Sequence, residues 1–379
     1  MSARWVLPLV GMLLAAPGNA GAAPSYTITA LGTLGGSRAY AYAINASGVV
    51  AGYANTAGDA AEYGFVWDPV AGMRALPTLG GVYSIARGIN DAGQVVGWSE
   101  RDAISMVIGA FLWDAASGMR DLGGSDPDWS SLGYAINDAG LVTGTALFSG
   151  FHLHAFLWSD AGGMQDIGSL GEGDAGGRAI NASGQVAGTA WVWDQDYPGA
   201  EHAFLWDAVG GMRDLGTLGG TQSGANGINA AGQVTGFAGT ADGATHAFLW
   251  DAAGGMRDLG TLGGTRSWGL GINAAGQVVG YSTGQGDRDS RAFLWDGIAM
   301  HDLNDLVPTR GDLVLRSATA INDVGQIVVA GRVGGYEQVF VLTPTGLDAV
   351  SEPATPGLFG AALLALGLAR RGRRGARPG

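Results

Sequence analysis

An all-β fold made of one repeated four-stranded unit is what this chain predicts, on three observations. The phrase Ile-Asn-x-x-Gly occurs seven times, with its asparagines at Asn45, Asn90, Asn137, Asn181, Asn229, Asn273 and Asn322, at intervals of 45, 47, 44, 48, 44 and 49 residues. Each interval carries four short segments of alternating apolar and polar residues, none long enough for a helix. Glycine, 69 of 379 residues, punctuates those segments as turns. A fixed period of this size marks an array whose units bury their faces against one another. Four strands taken seven times predict a seven-bladed β-propeller of four-stranded antiparallel blades.

The elements follow in chain order. Arg4 precedes an apolar run from Trp5 to Ala16 and then small residues that offer cleavage after Ala20 or Ala23. That is the pattern of a secretory signal, so residues 1–23 read as a signal peptide and 24–350 as the propeller. Tyr26 to Leu31, followed by Gly-Thr-Leu-Gly-Gly, matches the fourth strand of later units and its exit loop. The seventh unit ends weakly at Gly346 to Val350, so this N-terminal strand is expected to complete it and close the blades.

Within a unit, one segment ends in Ile-Asn, and the others are of the types Gln-Val-Val-Gly, Phe-Leu-Trp and Met-Arg-Asp-Leu. The Phe-x-Trp pair recurs from Phe65 and Trp67 to Phe293 and Trp295, and decays to Phe340 and Leu342 in the last unit. Two residues apart, both rings fall on one face of the sheet, where they can pack on the next unit. Asn273 to Gly276 and Asp251 to Gly255 read as tight hairpins, in which Asn or Asp binds nearby backbone and Gly supplies a positive φ. The repeat asparagines are therefore read as structural.

His154-Ala155-Phe156, His202-Ala203-Phe204 and His246-Ala247-Phe248 are the residues by which the chain, over roughly residues 26 to 345, resembles the HAF-repeat family. The resemblance implies an extracellular protein without an assigned activity. The three histidines are read as partly exposed strand residues rather than as metal ligands.

After the repeats come Ser351-Glu352-Pro353, an uncharged stretch to Ala369, and Arg370-Arg371-Gly372-Arg373-Arg374. From Pro353 to Ala369 a helix would reach about 25 Å, enough for a thin bilayer, with the arginines on the cytoplasmic side. Residues 351–379 resemble the PEP-CTERM sorting tail of Gram-negative bacteria, with Glu352 and Pro353 as the sorting motif. Ser351 stands where that family usually has a proline. The resemblance implies the secretion machinery and an exosortase-like processing enzyme as partners, membrane contact through the helix before processing, and release to the surface or an extracellular matrix.

Charge and composition exclude several classes of function. There is no cysteine, so disulfides, thiolate metal sites and a cysteine nucleophile are absent. There is also no lysine. Setting aside Arg4 and the five arginines from Arg370 to Arg377 leaves 14 arginines against 33 acids, about −19. A body so acidic lacks the basic footprint that nucleic acid requires. No cofactor motif is present, and the expected state is a monomer.

In an up-and-down blade the two tight hairpins share one face and the two longer loops the other. From the Val-x-Gly glycine to the phenylalanine the distance runs 13, 14, 12, 16, 12 and 13 residues, whereas the hairpins hardly vary. Variable loops on a rigid scaffold are where binding residues concentrate. The longest insert carries Trp191, Trp193, Asp194, Asp196 and Tyr197, and loops on the same side carry Trp129, Trp268 and Arg266. Aromatics beside carboxylates suit sugar rings. These residues mark a tentative ligand-binding face of an exported, cell-surface or matrix protein, non-enzymatic, that contacts glycan or protein. The alternative is an extracellular polysaccharide lyase or hydrolase drawing two carboxylates from Asp126, Asp128, Asp194, Asp196, Asp287 and Asp289.

Overall fold

In a computed structural model of the chain, the described residues are 25–345 apart from 105–106, 125–128, 149–151, 172, 194–197 and 309–310. The expected signal peptide and the 351–379 tail lie outside them. Among the described residues no helix is long and apolar enough to cross a membrane.

The described residues are all-β apart from one 3-10 turn at Ala57–Asp59. Each unit is an antiparallel meander; the first runs through Gly35–Ile44, Val50–Thr56, Glu62–Asp68 and Gly72–Ala75. The fifth and sixth units are joined by one parallel bridge, Thr245 to Arg266. The seventh contributes three strands, Val314–Ile321, Ile327–Val333 and Tyr336–Thr345. Its fourth is the N-terminal Ser25–Ala30, in register from Ser25 opposite Thr345 to Ala30 opposite Phe340. Those six pairs cover what would be two bare sheet edges.

The core consists of clusters between units rather than within them. Phe111 and Trp113 of the second unit pack on Ala51, Val66 and Leu76 of the first. Phe248 and Trp250 of the fifth pack on Ala187, Leu205 and Leu215 of the fourth. The same arrangement joins the first and seventh units, where Phe65 and Trp67 pack on Val328, Val339 and Val341. Phe65, Phe111, Phe156, Phe204, Phe248 and Phe293 are all fully buried. Removing such a ring costs about 3–5 kcal/mol. Above the tryptophans lie arginines of the preceding unit's fourth strand: Arg74 over Trp113, Arg120 over Trp158, Arg213 over Trp250 and Arg257 over Trp295, at 5.0–5.1 Å.

Backing each phenylalanine is the glycine of Val-x-Gly. A Cβ at Gly188 would lie 2.0 Å from the Gly176 carbonyl oxygen and 2.8 Å from the Phe204 ring, so only glycine lets first strand and ring approach this closely.

The repeat asparagines do more than start turns. Each side-chain oxygen accepts the N–H four residues on, at 2.8–3.0 Å, which closes the hairpin. Each side-chain Nδ2 donates to the backbone carbonyl of the next unit's asparagine, at 2.9–3.4 Å. The series runs from Asn45 to Asn90 and onward to Asn322, whose amide donates back to the Asn45 carbonyl at 3.0 Å. In five units the second amide hydrogen goes to a glutamine Oε1, as from Asn181 to Gln185. The asparagines are 3–6% exposed and their polar groups are matched.

Replacing Asn181 tests that link. Asn181→Asp keeps the acceptor and the shape but turns the donor toward Asn229 into a carboxylate oxygen facing a carbonyl. A loss on the order of 3 kcal/mol in denaturant unfolding is expected, with a similar loss for Asn181→Ala. Both variants within about 0.5 kcal/mol of the parent would mean that the amide is dispensable.

Candidate functional site

Antiparallel strands alternate in direction, so both tight hairpins of a unit lie at one end and both longer connections at the other. At the longer-loop end a cleft of about 320 Å³ opens over the third, fourth and fifth units, with Tyr134, Asp174, Arg178, Trp191, Glu201 and Phe237 in its wall. Of the sequence-predicted residues, Trp191 is in this cleft, 39% exposed. Its backbone N–H donates to the Asp174 carbonyl at 2.8 Å, and Gly199 leaves room for its ring. Trp268 is stacked on Tyr281 at 4.8 Å and leans on Phe237, one residue removed from the cleft. Arg266 is exposed on the same strand. Trp129 sits apart, its carbonyl accepting from Arg101 at 3.2 Å. Asp126, Asp128, Asp194, Asp196, Tyr197 and the Trp193 side chain lie outside the described residues.

Several described loop carboxylates are bound into loop geometry. Asp287, in the left-handed region at φ 56°, accepts from the Thr283 hydroxyl and from the Thr265 N–H and hydroxyl, the latter two at 2.7 Å. The Thr283 hydroxyl, then the Thr265 N–H and hydroxyl, push its pKa down to about 2. Asp59, also at φ 56°, does the same for the first unit with the Ser37 N–H and hydroxyl. Asp174 accepts the Leu153 N–H at 2.9 Å. Asp289 is exposed.

The histidines of His-Ala-Phe have a defined partner. His154, His202 and His246 each meet, through Nδ1 at 2.8 Å, the aspartate twelve residues on: Asp166, Asp214 and Asp258. In the sixth unit Arg291 takes the place and reaches Asp302 at 2.7 Å. In the second unit Gly109 vacates it and Arg101 reaches Asp121 at 2.7 Å. Burial works to raise Asp214, but the His202 hydrogen bond and the Gly216 N–H outweigh it and leave the carboxyl below its ordinary value.

One group of residues was not singled out from the sequence. Three positions before each repeat asparagine stand Tyr42, Arg87, Tyr134, Arg178, Asn226, Leu270 and Thr319. In every unit this residue is the one skipped in the pairing of first and second strands, a β-bulge. A bulge re-aims a side chain. All seven converge on one cavity of about 230 Å³, which meets the cleft at Tyr134, Arg178 and Asn226. First strands of consecutive units pack side by side, and that of the seventh packs on that of the first, so this cavity runs along the middle of the molecule. A signal was present in the sequence: the variable residue is flanked by Ala or Gly on both sides, as in Ala86-Arg87-Gly88.

No protein-family model matches the chain, and no curated protein matches it. Solved structures do. The β-propeller domain of the trilobed protease from Pyrococcus furiosus, which has an open velcro topology, aligns at TM-score 0.51 and 10% identity, covering 84% of this chain and 98% of that one. A puromycin-hydrolyzing peptidase from Mycobacterium tuberculosis aligns at TM-score 0.54 and 12% identity over 82% of this chain and 51% of its own, so this chain spans about half of it. At such identities the likeness is one of fold, and the fold is a β-propeller.

Several turn aspartates, namely Asp59, Asp68, Asp114, Asp207 and Asp287, are held below their ordinary pKa by hydrogen bonds they accept in the folded state. A depressed folded pKa gives stability that is complete above the unfolded value near 4 and lost as pH falls through the folded value, which for Asp287 is about 2. The melting temperature should therefore hold from pH 7 to about 5 and fall by pH 3; an unchanged melt at pH 3 would count against these anchors.

Proposed function

We propose that the units form a seven-bladed ring closed by the N-terminal strand, and that the exported protein serves at the cell surface or in the extracellular matrix as a non-enzymatic module binding glycan or protein. The binding surface is the longer-loop face. What carries this reading is the cleft there, where an exposed indole, Trp191, stands beside Tyr134, Asp174 and Glu201. A flat aromatic face with flanking acceptors suits stacking and directed hydrogen bonds to a sugar ring.

Closure is supported by the Ser25–Ala30 pairing, the Phe65 and Trp67 packing on the seventh unit, and the Asn322 to Asn45 bond. The export reading rests on the two chain ends, with Glu352 and Pro353 recognised by an exosortase-like enzyme while the tail is held in the membrane. Binding is preferred to catalysis because Asp174 and Asp287 already serve their loops. The binding roles expected of Trp129, Trp193, Asp194, Asp196, Tyr197, Trp268 and Arg266 are part of the same proposal.

Tryptophan fluorescence tests this. Titration with the producing organism's exopolysaccharide should give a saturable shift that Trp191→Ala reduces at least fivefold in affinity. No shift at saturating polysaccharide, or an unaltered titration with Trp191→Ala, would remove carbohydrate from the reading.

A further inference from the structure

Seven bulge residues, one from each unit, face the middle of the molecule, and their chemistry is one-sided. Two are arginines, two are tyrosines, and the others are Asn226, Thr319 and Leu270. None is acidic, in a chain with 33 acids and 20 basic residues. The Arg87 guanidinium lies 3.9 Å from the Tyr42 ring centroid and 5.5 Å from those of Tyr134 and Trp98. Arg178 lies 4.5 Å over the other part of the set, the Tyr134 ring. Tyr134 thus stands between two guanidinium groups.

Arginines forming ion pairs among the described residues are Arg101, Arg120, Arg291 and Arg316. Arg87 and Arg178 are not among them. The part-buried Arg87 guanidinium rests on aromatic faces and hydrogen-bonds the Tyr42 side chain, the Arg178 guanidinium is exposed over Tyr134, and with neither paired to a carboxylate the two repel. Burial and the neighbouring Arg178 both work against the charge on Arg87, while Tyr42 and Tyr134 favour it. An anion between them would relieve that cost, because charge-assisted hydrogen bonds to a planar guanidinium are among the strong ones.

We propose that this central cavity is an oxyanion site, in which Arg87 and Arg178 bind a carboxylate, phosphate or sulfate group of a small ligand and Tyr42 and Tyr134 wall its body. At about 230 Å³ the cavity suits a group no larger than a single sugar acid or a phosphate. Asn226 is oriented by donating its Nδ2 to the Gly269 carbonyl at 2.9 Å, so its place in the wall is fixed. The bulges explain how a regular repeat accommodates such a site: each register shift turns one side chain inward, and small neighbours such as Gly88 and Ala135 let the first strands crowd around it. The cavity shares Tyr134, Arg178 and Asn226 with the loop-face cleft, but its selectivity for an anion does not require that face to bind glycan.

Calorimetric titration of the full chain, in low-chloride buffer, would use sodium glucuronate, inorganic phosphate and glucose as separate probes. At least one anion should bind, with glucose at least tenfold weaker, and Arg178→Gln should weaken that anion at least tenfold while the unliganded melting temperature stays within a few degrees. Arg87→Gln should do the same; if it fails to fold, Arg178→Gln, whose side chain is exposed to the cavity, decides alone. Preference for glucuronate assigns a sugar acid, and preference for phosphate assigns a phosphate-bearing ligand. Failure of both anions to bind, equal binding of glucose and glucuronate, or an Arg178→Gln isotherm like the parent's would overturn the site.

Discussion

The side-chain amide of each repeat asparagine joins two adjacent units, and the rest of the structure is arranged around that bond. Its oxygen closes its own hairpin while its Nδ2 reaches the next unit's corresponding carbonyl. Energetically these links are minor. A net hydrogen bond is worth about 1 kcal/mol, whereas each buried phenylalanine contributes roughly 1.5–3 kcal/mol and there is one at every inter-unit cluster. Packing therefore supplies most of the stability. What the amide supplies is position: apolar faces tolerate sliding, but a buried donor left without its carbonyl does not. The asparagines fix where one sheet stands relative to the next.

That division of labour explains the placement of the functional features. With the hairpin end tied by asparagines and the sheets held by phenylalanine and tryptophan, the opposite end can carry loops of different length without disturbing the core. The cleft with Trp191 lies there. The middle is different again. Its lining comes from one bulge residue per unit, so its chemistry can vary from unit to unit while the hydrogen-bonded frame stays constant. Tyrosine, arginine, asparagine, leucine and threonine all occupy the same structural position.

Much of the architecture was legible because it is written in short-range pattern. Alternation marked the strands, Asn-x-x-Gly marked the hairpins, and the likeness of Tyr26–Leu31 to a fourth strand pointed to its pairing with the last sheet. The inter-unit reach of Asn181 was not legible, since it joins residues 48 apart and the turn alone already accounts for an asparagine. Nor was the fate of the carboxylates: Asp287 reads as a free loop acid until Thr265 and Thr283 are seen to surround it. The histidine slot made sense only once Asp166, Asp214 and Asp258 lay across from it. Arg87 and Arg178 carry no sequence signal of their own, because each is one residue in a position that varies, and only the bulge turns them toward a shared cavity.

Native-state hydrogen exchange measures the central claim most directly, through the amides that donate to the repeat asparagines: Val49, Gln94, Leu141, Gln185, Gln233, Gln277 and Gln326. A ring in which Asn322 is linked to Asn45 has no end units, so all seven amides should show the same protection, at the level of global unfolding. Protection that declines from the fourth unit outward, with Val49 and Gln326 exchanging fastest, would contradict it and describe an open stack.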